Sequence, residues 1–148
     1  MENEKKTVLV AVSDVFFYTK IRDALLPNGY SLERARTQEE VTAKAASLHP
    51  AALILNMNDE NLDAFKALEA VKGNPGTGSL SVLAFANHDE VETWRRAREL
   101  GVTKIVSRNE FSSRTRELVE EMVRGEATRI TPTPPSPLEG EGKGGGRA

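Results

Sequence analysis

Residues 53–65 read LILNMNDENLDAF, an apolar run that ends at Asn56 and is followed by amides and carboxylates. The apolar part is too short for a buried helix and has no polar alternation, which is typical of a strand covered on both faces. Phe65, Leu68 and Val71 then recur at helical spacing, so a helix is predicted from about Asp63. This order of strand, polar loop and helix indicates one unit of a parallel β/α protein.

The same alternation continues on both sides of this stretch. Further strands are predicted over residues 7–13, 30–35, 80–86 and 102–107. The segments between them carry apolar residues at helical spacing, and Thr37 with Glu40 matches a capping box that begins the second helix. The last two helices are predicted over residues 89–100, with Val91, Ala97 and Leu100 inward, and 113–124.

Five strands that alternate with five helices specify parallel βαβ units with right-handed crossovers. The predicted fold is therefore an α/β, flavodoxin-like (βα)5 doubly wound sheet with strand order 2-1-3-4-5. Ligands of such sheets bind beyond the carboxyl ends of the strands, at the switch point. The residues at these ends are Ser13, Asp14, Asn56, Ala86, Asn87 and Arg108.

Composition limits the classes of function. The chain has 148 residues, 28% of them charged, and a formal net charge of -2, so nucleic acid is not an expected partner. It contains no cysteine, which excludes disulfides and thiolate chemistry. No apolar run reaches the length of a signal peptide or a membrane span, so we expect a cytoplasmic protein that does not contact a membrane.

The composition changes near the carboxyl terminus. Residues 126–148 are rich in Pro, Gly and Thr and have almost no large apolar side chains. Such a segment cannot bury enough surface to offset its ordering entropy. We therefore expect one domain over residues 1–125 and a disordered tail over 126–148.

Between residues 7 and 124 the sequence resembles the response-regulator receiver family, the CheY-like phosphoacceptor domains of two-component signalling. The resemblance rests on the five-fold β/α alternation, Asp14 after the first strand, the LILN and LDAF segments, ARELGV at the end of the fourth helix, and Arg108 after the fifth strand. It implies a signalling module rather than an enzyme, with other signalling proteins, a histidine kinase or an effector chain, as partners.

The sequence departs from the receiver pattern at each chemical position. Family receivers carry two acids where this chain has Ser13 and Asp14, and a phosphoacceptor aspartate where it has Asn56. The resemblance places Ala86 and Ile105 at the hydroxyl and aromatic switch positions, and Arg108 at the position of a lysine. An amide is not a nucleophile for phosphoryl transfer, and the loss of two carboxylates predicts weak or absent Mg²⁺ binding.

These departures predict a degenerate receiver, or pseudoreceiver, that stands alone and acts by protein–protein contact without phosphorylation. No catalytic residue, metal site or cofactor is expected. Asp14 and Arg108 are predicted to form an ion pair that Asn56 bridges by hydrogen bonds.

A partner surface is predicted on the face made by the fourth helix, fifth strand and last helix. Trp94 lies there at the edge of the apolar stripe, beside Arg95 and Arg98, a composition favoured in interface hot spots. A tryptophan that only covers the core is an equally good interpretation. A homodimer is also possible.

Two other functions remain open from the sequence. A loop acid, Asp59, could replace the missing phosphoacceptor, although loop acids usually face solvent and Asp63 is better placed to cap a helix. Alternatively, the crevice left by the missing acids could bind a small molecule. No nucleotide-binding loop or nucleophile elbow is present.

Overall fold

A computed structural model describes residues 6–124. It contains one five-stranded parallel sheet with the order β2-β1-β3-β4-β5, which confirms the predicted topology. The strands are β1 (Lys6–Ala11), β2 (Tyr30–Ala35), β3 (Ala52–Asn56), β4 (Val82–Ala86) and β5 (Lys104–Ser107). The segment 126–148, predicted to be a disordered tail, lies outside the described residues.

Six α-helices are found in this part of the chain: α1 (Val15–Leu25), α2 (Gln38–Leu48), α3 (Ala64–Gly73), α4 (Val91–Glu99), α5 (Arg108–Ser113) and α6 (Thr115–Arg124). The last predicted helix, over residues 113–124, corresponds to α6, and the short helix α5 before it was not predicted. Ser107 accepts a hydrogen bond from the Glu110 amide and caps an additional short helix directly after β5. Arg108 consequently lies at the start of a helix.

The apolar strands are buried on both faces, as their sequences predict. The side chains of β3 and β4 are all buried, because helices cover each side of the sheet. One core cluster includes Leu53 and Leu68, and the other includes Ile54 and Phe85. The alternating residues of one strand thus serve two cores, which holds the carboxyl ends of the strands in a fixed arrangement.

Side-chain caps set the start of two helices where the sequence predicts them. Thr37 accepts a hydrogen bond from the Glu40 amide at the start of α2, and Asp63 accepts one from the Lys66 amide at the start of α3. The Glu40 carboxylate accepts from the Arg36 amide instead of the Thr37 amide. The second hydrogen bond of the capping box therefore comes from the residue before the N-cap and not from the N-cap itself.

The start of α4 differs from the prediction. The helix begins at Val91, and the Val91 side chain, predicted to point inward, is 71% exposed. Ala97 is fully buried and Leu100 is half-buried, as predicted. The core-facing side of α4 is formed by Ala97 with the partly buried Trp94 and Leu100, and Val91 on the first turn projects apolar surface into solvent.

No helix within the described part of the chain has both the length and the apolar character that crossing a bilayer requires.

Candidate functional site

A polar cavity of about 410 Å³ lies at the carboxyl ends of the strands, at the predicted switch point. It is formed by the loop after β1, the end of β3 with the loop that follows, and the start of α5. Its lining residues are Ser13, Asp14, Asn56, Asn58, Asp59, Glu60, Asn61 and Arg108. Four of the predicted end-of-strand residues therefore share one cavity.

The predicted ion pair between Asp14 and Arg108 is not formed. The Asp14 carboxylate accepts hydrogen bonds from the amides of Phe16 and Phe17, at 2.9 and 3.2 Å, and so caps α1. The Arg108 guanidinium carbon lies 4.6 Å from the centre of the Phe17 ring. The prediction failed because Asp14 meets two orphan helix amides within its own segment, and local caps of this kind are strong.

Asn56 ends β3 and is one of the few buried polar residues of the described chain, with 5% of its surface exposed. Its Oδ1 accepts a hydrogen bond from the Asn58 amide at 2.9 Å. This contact orients the side chain, with the NH₂ group opposite the accepted bond. Asn56 does not bridge Asp14 and Arg108, which corrects the second part of that prediction.

Asp59 is not a solvent-facing loop acid. Its two carboxylate oxygens accept from the Ser13 amide and the Ser13 hydroxyl, each at 2.7 Å, and from the Asn61 amide at 2.9 Å. Asn61 in turn donates its side-chain amide to the Ser13 hydroxyl at 3.2 Å. The loop after β3 is thereby attached to the loop after β1, a link between residues 46 positions apart.

The side chains at this cavity do not fit a Mg²⁺ ion of the kind that receiver domains use. Mg²⁺ requires near-octahedral oxygen ligands and is usually bound through carboxylates. Here both oxygens of Asp59 accept hydrogen bonds from Ser13, and one oxygen of Asp14 caps α1. Across residues 6–124, no group of three or more His, Cys, Asp and Glu side chains is arranged to hold a metal ion.

A second set of polar contacts connects the cavity to α4. Asn58 donates its side-chain amide to Glu90 at 2.6 Å and accepts from the Asn87 amide at 2.8 Å. The Glu90 carboxylate also accepts from the Thr93 hydroxyl at 3.2 Å. This latch, composed of Asn58, Asn87, Glu90 and Thr93, joins the loop after β3 to the first turn of α4. None of its residues was singled out for this role from the sequence.

Trp94 lies at the end of the latch. Its indole Nε1 donates to the Asn87 carbonyl at 2.9 Å, and its ring packs against the core cluster beneath α4. The Arg98 guanidinium lies 5.5 Å from the ring centre. The Trp94 side chain is half-buried, so one part of it covers the core and the other part faces solvent. Its role in a partner surface stays a prediction.

The surface around Trp94 is apolar and open. It encloses a shallow cavity of about 580 Å³ lined by His88, Val91, Trp94, Arg95, Arg98 and Glu99. Arg95 is engaged by the carboxylates of Glu92 and Glu99 on its own helix. We call this set of six lining residues the α4 patch.

The positions that correspond to the receiver switch are buried and apolar. Ala86 ends β4 with 1% of its surface exposed, and Ile105 in β5 is 8% exposed. Both belong to the core cluster that α4 covers. Neither side chain carries a hydroxyl or a ring that could turn toward the cavity.

Arg34 supports the cavity wall and was not singled out from the sequence. This β2 residue donates to the Ser13 carbonyl at 2.5 Å and to the Val12 carbonyl at 3.3 Å. Its guanidinium also lies 5.1 Å from the centre of the Tyr18 ring. Arg34 therefore holds the loop after β1 from the neighbouring strand. The only sign of this role in the sequence is the position of Arg34 at the end of a predicted edge strand.

Solved structures with a similar shape include response regulators and receiver domains. A putative response regulator from Chloroflexus aurantiacus superposes with a TM-score of 0.73 at 19% identity, over 81% of this chain and 98% of that one. The receiver domain of a histidine kinase from Syntrophus aciditrophicus gives 0.73 at 16% identity, over 87% and 97%. The chemotaxis response regulator CheY4 of Vibrio cholerae gives 0.71 at 17% identity, over 80% and 98%.

The chain therefore has the CheY-like receiver fold. No protein-family model matches the sequence, and no curated protein matches it at a significant level. At 16–19% identity, likeness in shape fixes the architecture, whereas function has to be argued from the site.

Proposed function

We propose that this protein is a receiver-type signalling module that acts by contact with another protein and does not accept a phosphoryl group. The observation that supports this most directly is Asn56. It ends β3, where the resemblance to receivers puts the phosphoacceptor, and its amide lines the cavity together with Asp14 and Arg108. A carboxamide cannot form the acyl phosphate that receivers use.

The alternative acceptor Asp59 is not well disposed to act as a nucleophile. Its carboxylate oxygens already accept hydrogen bonds from Ser13 and Asn61. Hydrogen bonds to the charged form stabilise a carboxylate and lower its reactivity. Attack by Asp59 would also require breaking the link between the two loops.

For the partner contact, the α4 patch is the surface that we propose. It presents Val91 and Trp94 next to Arg98, whose guanidinium has no carboxylate partner among residues 6–124. An apolar centre with an unpaired arginine at its edge suits a second signalling protein that offers an apolar side chain beside a carboxylate.

The first experiment tests phosphorylation. The native protein is incubated with acetyl phosphate and Mg²⁺ and examined by intact mass spectrometry at low temperature, with a phosphorylatable receiver domain as the positive control. We expect no added phosphoryl group on the native chain. An added phosphoryl group that disappears in Asp59→Ala would overturn the proposal.

The second experiment tests the surface. The immobilised native protein, Trp94→Ala and Phe16→Ala are used to capture proteins from a cell extract, and the captured proteins are identified and remade in pure form. We expect a purified signalling protein to bind the native chain and Phe16→Ala alike and to bind Trp94→Ala at least tenfold more weakly. Equal binding to all three, or capture only of the chain itself, would contradict the proposed partner contact.

A further inference from the structure

The Asn56 side chain leaves a buried hydrogen-bond donor without an acceptor. The Asn58 amide fixes Oδ1 as the acceptor end, and within the described chain no oxygen accepts from Nδ2. Only 5% of the Asn56 surface is exposed, and the residue lines the cavity of 410 Å³. Because buried amide donors are nearly always hydrogen-bonded, this group indicates an acceptor supplied from outside the protein.

Arg108 adds a second set of donors to the same cavity. Its guanidinium packs on Phe17 and makes no salt bridge or side-chain hydrogen bond with any residue from 6 to 124. Stacking on an aromatic ring holds an arginine in place and leaves its planar edge available. Two residues with nitrogen donors, one neutral and one cationic, therefore line a cavity in which no oxygen from residues 6–124 accepts from either donor group.

Carboxylates in the same cavity supply acceptors for a positively charged group of a ligand. Only one oxygen of Asp14 is used to cap α1, and Glu60 accepts no hydrogen bond from the described residues. Asp59 has its oxygens satisfied by Ser13 and Asn61, but it still contributes negative charge. With three carboxylates against one guanidinium, a simple dianion would be repelled, whereas a ligand with its own positive group would be attracted.

We infer that this cavity binds a small zwitterion of the α-amino-acid type. The carboxylate of the ligand accepts from the Asn56 amide and the Arg108 guanidinium, and its ammonium group donates to Asp14 or Glu60. The cavity volume lies within the range of small-molecule sites. This inference goes beyond the proposed partner contact and does not require it, since the ligand would bind to the isolated chain.

The structure also supplies a reporter for such binding. Asn56 accepts from Asn58, the Asn58 side chain accepts from the Asn87 amide, and the Asn87 carbonyl accepts from the Trp94 indole. Trp94 is the only tryptophan of the chain. A ligand that engages Asn56 therefore acts three hydrogen bonds away from a single fluorescent side chain.

The test is a titration of the full chain with each of the twenty free amino acids, followed by calorimetry and by Trp94 fluorescence. For each amino acid that binds, two matched probes follow: the amine that lacks the carboxylate and the carboxylic acid that lacks the ammonium group. We expect saturable binding of at least one amino acid and at least tenfold weaker binding of both of its probes.

Four variants connect binding to the cavity. Asn56→Leu removes the orphan donor at similar volume, Arg108→Met removes the charge while keeping a long apolar stem over Phe17, and Arg22→Met is the matched control outside the cavity. We expect at least tenfold weaker binding in the first two and unchanged binding in the third. Circular dichroism and thermal unfolding establish that each variant is folded. Asn56→Asp serves as the second variant at position 56.

Several results would overturn the inference. These are the absence of saturable binding by any amino acid, equal binding of the carboxylic acid probe, a saturable response to Mg²⁺ alone in place of the amino acid, and unchanged affinity in both Asn56→Leu and Arg108→Met. None of these results bears on the capture experiment with Trp94→Ala, so the two proposals can fail separately.

Discussion

Asn56 has nearly the shape of an aspartate and a different chemistry. Both ends of its amide matter in this structure: Oδ1 accepts from the Asn58 amide, and Nδ2 lines the cavity. The sequence was sufficient to predict that this residue ends a buried strand and cannot accept a phosphoryl group. It could not show which group each end of the amide would meet, because that depends on a turn formed two residues later.

Asp59 gives a test at the same scale. Asp59→Ala removes the acceptor of three hydrogen bonds from Ser13 and Asn61, so we expect the free energy of unfolding to fall by about 1–3 kcal/mol. Urea unfolding followed by circular dichroism measures this. Glu60→Ala is the matched control, since its side chain is exposed, and it should change the free energy by no more than about 0.5 kcal/mol. An equal loss of unfolding free energy in both variants would mean that the hydrogen bonds between Asp59 and Ser13 do not stabilise the fold.

Tyr30 provides a prediction about pH. Burial, and to a smaller extent the charge of Glu120, raises the pKa of Tyr30 above the ordinary tyrosine value. Above that ordinary value, near pH 10, the unfolded chain loses this proton before the folded chain does, so unfolding becomes more favourable as pH rises. We expect the native protein to lose stability more steeply than Tyr30→Phe above about pH 10, as measured by urea unfolding at a series of pH values. Parallel losses in the two proteins would contradict the raised pKa.

At the scale of elements, the loops after β1, β3 and β4 are held together by side chains. Ser13 and Asp59 join the first two loops, and the latch of Asn58 with Glu90 joins the second pair. The resemblance puts Ala86 and Ile105 at the hydroxyl and aromatic switch positions of receivers, and neither side chain can make a polar contact with the cavity. In this chain, polar contacts between loops connect the cavity and α4 instead.

The latch predicts an effect on α4. Glu90→Ala removes the acceptor for Asn58 and Thr93, so we expect the first turn of α4 to loosen and the free energy of unfolding to fall by about 1–2 kcal/mol. Trp94 emission should shift to longer wavelength as its ring becomes more exposed. Glu92→Ala is the control, since Glu92 is exposed and its contact with Arg95 is screened by solvent, so we expect neither the loss of stability nor the spectral shift. An unchanged Trp94 spectrum in Glu90→Ala would refute the latch.

One helix was not predicted, and one residue was assigned to the wrong side of a helix. Ser107 caps an extra helix that begins at Arg108, and α4 begins with an exposed Val91. Val91 lies six residues before Ala97, which puts the two side chains about 120° apart around the helix, so Val91 faces away from the buried side.

At the scale of the whole molecule, two cores lie on opposite faces of one sheet. On the face of α1, α5 and α6, Phe17, Phe85 and Phe111 form a cluster in which Phe85 and Phe111 stack with ring centres 4.5 Å apart. This cluster joins α1, β4 and α5. Because the Arg108 guanidinium packs on the Phe17 ring, the core on this face positions one wall of the candidate site.

Phe111 and Phe16 form a matched pair for testing this core. Phe111 is fully buried and Phe16 is 82% exposed. We expect Phe111→Ala to lower the free energy of unfolding by about 3–5 kcal/mol, whereas Phe16→Ala should change it by no more than about 0.5 kcal/mol. Thermal and urea unfolding measure both. A small loss in Phe111→Ala would mean that the short helix α5 is not part of the folded core.

The sequence by itself determined the order of strands and helices, the parallel sheet, the edge at which the candidate site lies and the amide at the end of β3. These follow from hydrophobic period and residue identity, which are local properties of the chain. Only the tertiary structure decided that Asp14 caps α1 instead of pairing with Arg108, that Asp59 binds Ser13, and that Asn56 keeps an unused donor. The bond between Ser13 and Asp59 joins loops 46 positions apart, whereas the contacts of Asp14 and Asn56 are local. Which of these contacts forms depends on how the sheet and both helical layers place the ends of the strands.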